Sequence, residues 1–213
     1  MSDIRKSIVW ADWSWNPVWG CLNKCPYCYA RNIAKRFGKQ ICGRDDFAPV
    51  WIEKNFQKKI PKYATHIFVN SMSDIAFWEQ DWIDSVYLFV KAYSNKKFLF
   101  LSKKSMFGNF PKNAYFGKTI NCQKDYLFSI HIGYDFYSIE PIFERIDLNA
   151  NPLNKNLKQI IVGAETGNRK GKVIPQKEWI EEIRIFCQSN GIKLFEKDSL
   201  KEIVKRPLIQ ERI

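Results

Sequence analysis

Cys21, Cys25 and Cys28 fall within eight residues, in the text CLNKCPYC, and give the spacing C-x3-C-x2-C. Three thiolates on so short a segment can converge on one centre, and soft sulfur donors select zinc, Cu(I) or an iron–sulfur cluster. Three local ligands leave one position of a four-position centre for another group. A closed structural zinc site wants a fourth ligand, normally from a second C-x2-C or H-x3-H pair. The sequence has no such pair, so His66, His131, Cys42 or Cys122 would have to complete it from a distance. Cys42, Cys122 and Cys187 lack ligand spacing and read as small core residues, and the two isolated histidines read as structural.

The elements that must position this loop follow from periodicity. Trp10 to Trp19 is too aromatic for a solvated loop and too broken by Pro17 for a helix, so it reads as a short strand and turn whose tryptophans pack around the cysteine loop. After the cysteines, Tyr29, Ala30, Ile33, Ala34 and Phe37 recur at helical spacing, with Gly38 placed as a C-terminal cap. Residues 44–61 read as loop with a short helix. Strands are expected at His66 to Asn70, Lys97 to Leu101, Ala114 to Ile120, Phe136 to Ile139, Gln159 to Val162 and Lys193 to Phe195. Helices are expected through Ile83, Val86, Tyr87 and Val90, and after Pro175 through Trp179, Ile183 and Cys187 up to Gly191. The unit between Asn113 and Ile139 has little room for a full helix.

Apolar strands alternating with helices indicate α/β architecture with a mostly parallel sheet. A complete eight-unit barrel takes about 250 residues, and this chain has 213. The expectation is a partial (β/α)6-type TIM-like barrel in one domain over residues 1–213, with a loop at 20–29 and a basic C-terminal extension at about 198–213. The composition, 46% hydrophobic and 15% aromatic, supports a real core. No apolar run is long enough to span a membrane and no signal-peptide pattern opens the chain, so a cytoplasmic protein with reduced thiols and no membrane partner is expected. Lys+Arg number 34 against 22 Asp+Glu, a net charge of +12. The excess lies in several basic groups and not in a tail, and such a field attracts polyanions, nucleic acid or nucleotides among them.

The surrounding text sharpens the cysteine reading. C-x3-C followed by an aromatic, Tyr27, just before the third cysteine resembles the cluster loop of radical S-adenosylmethionine (radical SAM) enzymes. WNPVWGCLNKCPYCYARNIAKRF, VNSMSD, FLSKK, SIEP and IVGAETG together resemble phage Gp37/Gp68-like (three-Cys-motif, DUF5131) proteins. The resemblance implies a radical SAM type of barrel and a [4Fe-4S] cluster on Cys21, Cys25 and Cys28, with S-adenosyl-L-methionine on the fourth iron. It further implies reductive cleavage to a 5′-deoxyadenosyl radical that abstracts hydrogen from substrate, and hence an electron donor such as a flavodoxin or ferredoxin.

Ligands in parallel α/β folds gather at the carboxyl ends of strands, and the resemblance assigns residues there. Ser71, Ser73 and Asp74 stand where the superfamily binds the methionine amino group, although the text NSMSD departs from its usual Gly-Gly-Glu-like segment. Ser102 and Lys103 are assigned to the methionine carboxylate or an anionic substrate, Asn121 to a ribose contact, and Glu140 and Glu165 to ribose hydroxyls or substrate. Gly163 would allow close backbone approach. Glu140, Glu165 and Lys103 are the candidates for a catalytic role. The short chain suggests a wide mouth, open to a large substrate or closed by a partner protein. The competing expectation is a non-enzymatic nucleic-acid-binding module with a structural metal on the same cysteines, and a third is a radical enzyme acting on a peptide or small metabolite.

Overall fold

The computed structural model describes residues 8–44, 46–105, 109–129 and 133–213, so His131 lies outside the described residues. The chain divides into two compact units, Met1–Lys103 with Gly108–Tyr115, and Lys104–Phe107 with Phe116–Ile213.

In the first unit the aromatic N-terminal text gives two short strands, β1 (Trp13–Ser14) and β2 (Val18–Trp19), where one was expected. The cysteine loop and helix α1 (Tyr29–Cys42) follow. Next come β3 (Val50–Trp51), the one-turn helix α2 (Glu53–Phe56), β4 (His66–Phe68), α3 (Gln80–Ala92) and β5 (Lys97–Ser102). Strands β1, β4 and β5 run parallel, with Trp13 opposite Ile67 and Ile67 opposite Phe98. β2 pairs antiparallel with β3, Val18 opposite Trp51. Two-residue strands carry too little periodic signal to be seen in sequence, which is why this antiparallel pair, its strands separated by α1, was missed.

The tryptophans divide their work. Trp15, almost fully buried, stacks on Phe89 at 4.3 Å between ring centroids, and Trp10 lies 4.6 Å from Phe68. Trp19 belongs with Ala30, Ala34, Phe47, Ile52 and Met72 to the cluster against which Cys21, Cys28 and Cys42 pack. Packing around the cysteine loop thus falls to Trp19. His66 is structural, its Nδ1 2.9 Å from Thr65 Oγ1, while the Asp12 carboxylate accepts from the Thr65 and His66 amides.

The second unit holds the greater part of β6 (Ala114–Thr119), the short helix α4 (Gln123–Leu127), β7 (Phe136–Ile139), β8 (Gln159–Val162), α5 (Lys177–Ser189), β9 (Lys193–Glu196) and α6 (Lys201–Val204). β6 to β9 are parallel neighbours in chain order. All four residues of β7 and of β8 are buried, as expected for parallel strands covered on both faces. Ile180, Ile183, Phe186 and Cys187 form the buried face of α5, each large side chain contributing about 1.5–3 kcal/mol by leaving water. The C-terminal residues pack back on β9. Arg206 forms a bidentate pair with the fully buried Glu196, and Gln210 bridges antiparallel to Phe195. The fold is therefore mixed α/β built on parallel strands. Among the described residues no helix is long and apolar enough to cross a membrane.

Burial in this unit has a pH consequence. It pushes the Cys187 thiol up to about 12 and the Tyr126 phenol up to about 12. Both groups keep their protons in the folded chain above the pH at which the unfolded chain loses them. Between those values the unfolded state binds fewer protons, so stability falls as pH rises. Denaturant titrations are expected to show stability declining as pH rises above about 8.5, the ordinary thiol value. Cys187→Ala makes that decline shallower without abolishing it, because burial also raises the Cys21 and Cys122 thiols.

Candidate metal and cofactor centre

The cysteine loop is fixed at both ends before any side chain is considered. The Gly20 amide donates to Met72 O at 3.0 Å and the Cys21 amide to Phe47 O at 2.8 Å, so the chain leaves β2 clamped between two neighbouring segments. Gly20 has φ of +106°, and a Cβ there would lie 2.1 Å from Ala48 O. Both facts demand glycine. At the far end Cys28 takes an extended conformation and caps α1, its Sγ accepting from the Arg31 amide at 3.4 Å. The Arg31 guanidinium reaches back to Cys21 O and Asn23 O at 3.3 and 3.1 Å and lies over the Phe47 ring.

A buried carboxylate ties this loop to two strand ends. Asp74, 4% exposed, accepts at Oδ1 from Ser102 Oγ at 2.7 Å and the Ala76 amide at 3.1 Å. At Oδ2 it accepts from Asn23 Nδ2 at 2.7 Å and the Lys103 amide at 3.0 Å. An ionised carboxylate offers about four acceptor positions, and the protein fills all of them. Asn70 makes a second tie beside it, its side-chain amide pairing with the Leu101 carbonyl and amide at 2.7 and 3.0 Å and so continuing the β4–β5 ladder by one rung.

The other candidates of this unit sit around the same loop. Ser71 Oγ donates to Asn16 Oδ1, and Ser71 O accepts from the Tyr29 hydroxyl at 2.7 Å. Ser73 Oγ accepts from the Trp78 indole at 3.1 Å. Ser102 is buried on Asp74, and Lys103 Nζ lies 5.1 Å from the centroid of the Tyr27 ring, a cation–π contact. Tyr27 thereby holds a lysine beside the cysteines.

The second unit gathers Glu140, Gly163 and Lys197 at the carboxyl ends of β7, β8 and β9. Lys197 Nζ donates to Glu140 Oε1, and a Cβ on Gly163 would meet Lys197 Cδ at 3.1 Å and Glu140 Cδ at 3.3 Å. Close approach at Gly163 is therefore real, but the approaching groups are this ion pair. Glu165, 7% exposed, is held bidentately by Arg169 at 2.6 and 2.7 Å. The Asn121 side chain donates to Pro141 O at 2.7 Å, and its backbone carbonyl accepts from the Phe143 amide. Sequence reading missed Lys197 and Arg169. The signal for Lys197 was its place immediately after the last apolar strand.

A family model described as protein of unknown function (DUF5131) matches residues 5–203. The chain belongs to the DUF5131 family. No curated protein and no solved structure matches it.

In this DUF5131 chain the donor set suits a thiophilic centre. Cys21, Cys25 and Cys28 are all half-buried free thiols. Burial pushes the Cys21 thiol up to about 11 against the opposing Asn23 amide, and Asp74, Cys25 and Cys28 add to the rise. The three sulfurs are not drawn up at coordination distance, and among the described residues no three His, Cys, Asp or Glu side chains form a ready metal group. Each thiol turns about a single χ1 torsion. The indole Nε1 of Trp19, buried in the apolar cluster that Cys21 and Cys28 pack against, has no hydrogen-bond partner. A thiolate- or sulfide-rich group is the kind of weak acceptor such a donor lacks. The residues fit a metal–sulfur centre whose uptake releases thiol protons.

The Gly20 clamp gives a direct check. Gly20→Ala must displace backbone against backbone, so no rotamer change relieves it. Stability is expected to fall by about 2 kcal/mol or more, a loss on the order of 4–8 °C in Tm for a chain of this size. Calorimetry on the metal-free protein measures it.

Proposed function

We propose that this protein is a radical SAM enzyme in which Cys21, Cys25 and Cys28 hold a [4Fe-4S] cluster. When bound, the cluster would pass one electron from an external donor to S-adenosylmethionine, so that C5′–S cleavage would give methionine and a 5′-deoxyadenosyl radical able to take a hydrogen atom from substrate. The observation that carries the reading is a three-thiol loop held rigidly at a strand end, by Gly20 behind and Asp74 beneath, with the third cysteine capping the following helix. The reading extends to the fold, for which a radical SAM type of barrel accounts for the alternation of parallel strands and helices.

The chain's own residues take distinct parts. Lys103, parked on Tyr27, offers the cation for a methionine carboxylate or an anionic substrate. Asp74 holds the loop, because its acceptor positions are committed to protein donors. The methionine ammonium then falls to the hydroxyls of Ser71 and Ser73, each of which retains acceptor capacity by the count of its lone pairs. In the second unit, Glu140 and Lys197 form a charge-neutral pair that either binds sugar hydroxyls or exchanges a proton with substrate. The charge of +12 supports a nucleic acid base or nucleotide as substrate.

Anaerobic reconstitution followed by metal and product analysis tests this. The expected result is about four irons per chain and 5′-deoxyadenosine from S-adenosylmethionine plus reductant, increasing when nucleic acid or nucleotides are added. Zinc in place of iron, with salt-sensitive nucleic-acid binding and no cofactor cleavage, overturns it in favour of a non-enzymatic binding module.

A further inference from the structure

Arg31 stands where a helix disfavours it. It is the third residue of α1, and the positive end of the helix dipole there favours an acidic side chain over a basic one. A residue that breaks a local rule of this kind marks a position held for another purpose. The side chain reaches back to the cysteine loop, where one guanidinium nitrogen, Nη2, donates to Cys21 O at 3.3 Å and to Asn23 O at 3.1 Å. The half-buried guanidinium lies over the Phe47 ring, 4.9 Å from its centroid. Phe47 belongs with Trp19 and Ala34 to one buried cluster, and its carbonyl accepts from the Cys21 amide.

The two carbonyls that Arg31 grips flank one peptide. Between them lies the Leu22–Asn23 unit, whose N–H, the Asn23 amide, donates to Cys21 Sγ at 3.3 Å. Holding the units on either side holds the turn that aims this N–H at the sulfur. Cys28 Sγ receives the matching bond from the Arg31 amide itself at 3.4 Å. One residue thus serves the first and the third cysteine, through its side chain at one and its backbone at the other. Asp74 acts on the same turn differently, since it holds the Asn23 side chain. N–H donors to sulfur and a fixed cation nearby both favour the more negative state of a metal–sulfur centre.

We propose that Arg31 is a positioning residue of the cysteine centre, which sets the Cys21 sulfur for metal uptake and whose charge raises the reduction potential of the group bound there. The effect on potential rests on the radical SAM reading, whereas the effect on metal uptake rests on the loop alone.

The test compares Arg31→Met, Arg31→Lys and Arg36→Met in the full chain. Methionine keeps an unbranched stem and loses the charge and the donors, and lysine keeps the charge without the planar fork. Arg36, exposed on the same helix, controls for the loss of one positive charge. Anaerobic cobalt(II) titration of the metal-free proteins is expected to show at least about a tenfold loss of affinity in Arg31→Met, the cost of disturbing a group around a metal ligand. Potentiometry of the iron-reconstituted proteins is expected to show a midpoint lower by about 59 mV, a tenfold shift for one electron. Arg31→Lys recovers the potential more fully than the affinity, and Arg36→Met changes neither. A lower Tm in Arg31→Met with wild-type cobalt affinity and potential makes the residue structural only and overturns the proposal. An equal loss in Arg36→Met also overturns it, because it traces the effect to net charge. If Arg31→Met does not fold, Arg31→Lys decides by cobalt affinity, weaker binding at wild-type Tm supporting the proposal and unaltered binding overturning it. If no iron cluster forms in the wild type, the enzymatic reading has failed on its own, and the cobalt affinities still decide the role of Arg31.

Discussion

Cys25→Ala is expected to remove bound iron and to lower S-adenosylmethionine cleavage by at least about a hundredfold, with the metal-free fold intact. On the proposed ligand set, losing one of three protein ligands leaves a cluster two, and disruption even of the groups around ligands costs about 10–100-fold in affinity or activity. The local fold survives because Cys25 contributes to it through its backbone, its carbonyl accepting from the Cys28 amide at 3.3 Å. Alanine keeps that carbonyl. Cys28→Ala is the informative companion, since the Cys28 sulfur also accepts from the Arg31 amide as the N-cap of α1. It should lose iron equally and, in addition, about 0.5–2 kcal/mol of stability. Cys122→Ala, in the second unit, should lose neither. Iron assay, product chromatography and thermal melts of the metal-free proteins separate these outcomes. Full iron and cleavage in Cys25→Ala would falsify the ligand assignment.

The sequence made the long strands and the loop readable for different reasons. β7 and β8 match the expected residues because a four-residue run buried on both faces is apolar throughout. The cysteine loop was legible through spacing alone, which no packing argument can imitate. The face of α1 was legible in part: the expected Ala30 and Ala34 are buried, whereas Tyr29, Ile33 and Phe37 are exposed, and Gly38, expected as the cap, is buried inside a helix that ends at the left-handed Gly43, because the chain returns so close that a Cβ on Gly38 would meet Arg44 O at 2.7 Å. Cys187 meets its expectation as a core residue, whereas Cys42 and Cys122 are only half-buried. Glu140 and Glu165 were marked by the cost of a charge after an apolar run. Their partners Lys197 and Arg169 became visible only when the chain was folded.

Asp74→Ala is expected to be the most damaging change outside the cysteines. It deprives four donors of one acceptor group: the Ser102 hydroxyl, the Asn23 amide group and the backbone amides of Ala76 and Lys103. Hydrogen bonds to a charged group contribute about 1.5–3 kcal/mol each, and these share one centre, so the sum is less than additive. A loss of at least about 3 kcal/mol follows, on the order of 6–12 °C in Tm at this chain length. The loop suffers with it, since Asn23 lies between Cys21 and Cys25 and its side chain is what Asp74 holds. Iron retention should therefore fall although no ligand has been touched. Asp74→Asn discriminates this positioning role from direct contact with the methionine ammonium. As a positioning residue, Asn keeps one carbonyl oxygen and turns an NH2 group toward donors, so Tm and iron content both drop, to a lesser degree than with alanine. As an ammonium ligand, the same variant would weaken S-adenosylmethionine binding while melting temperature and iron stayed at wild-type values. Melting, iron content and cofactor affinity on the two variants distinguish the roles, and the four filled acceptor positions favour the first.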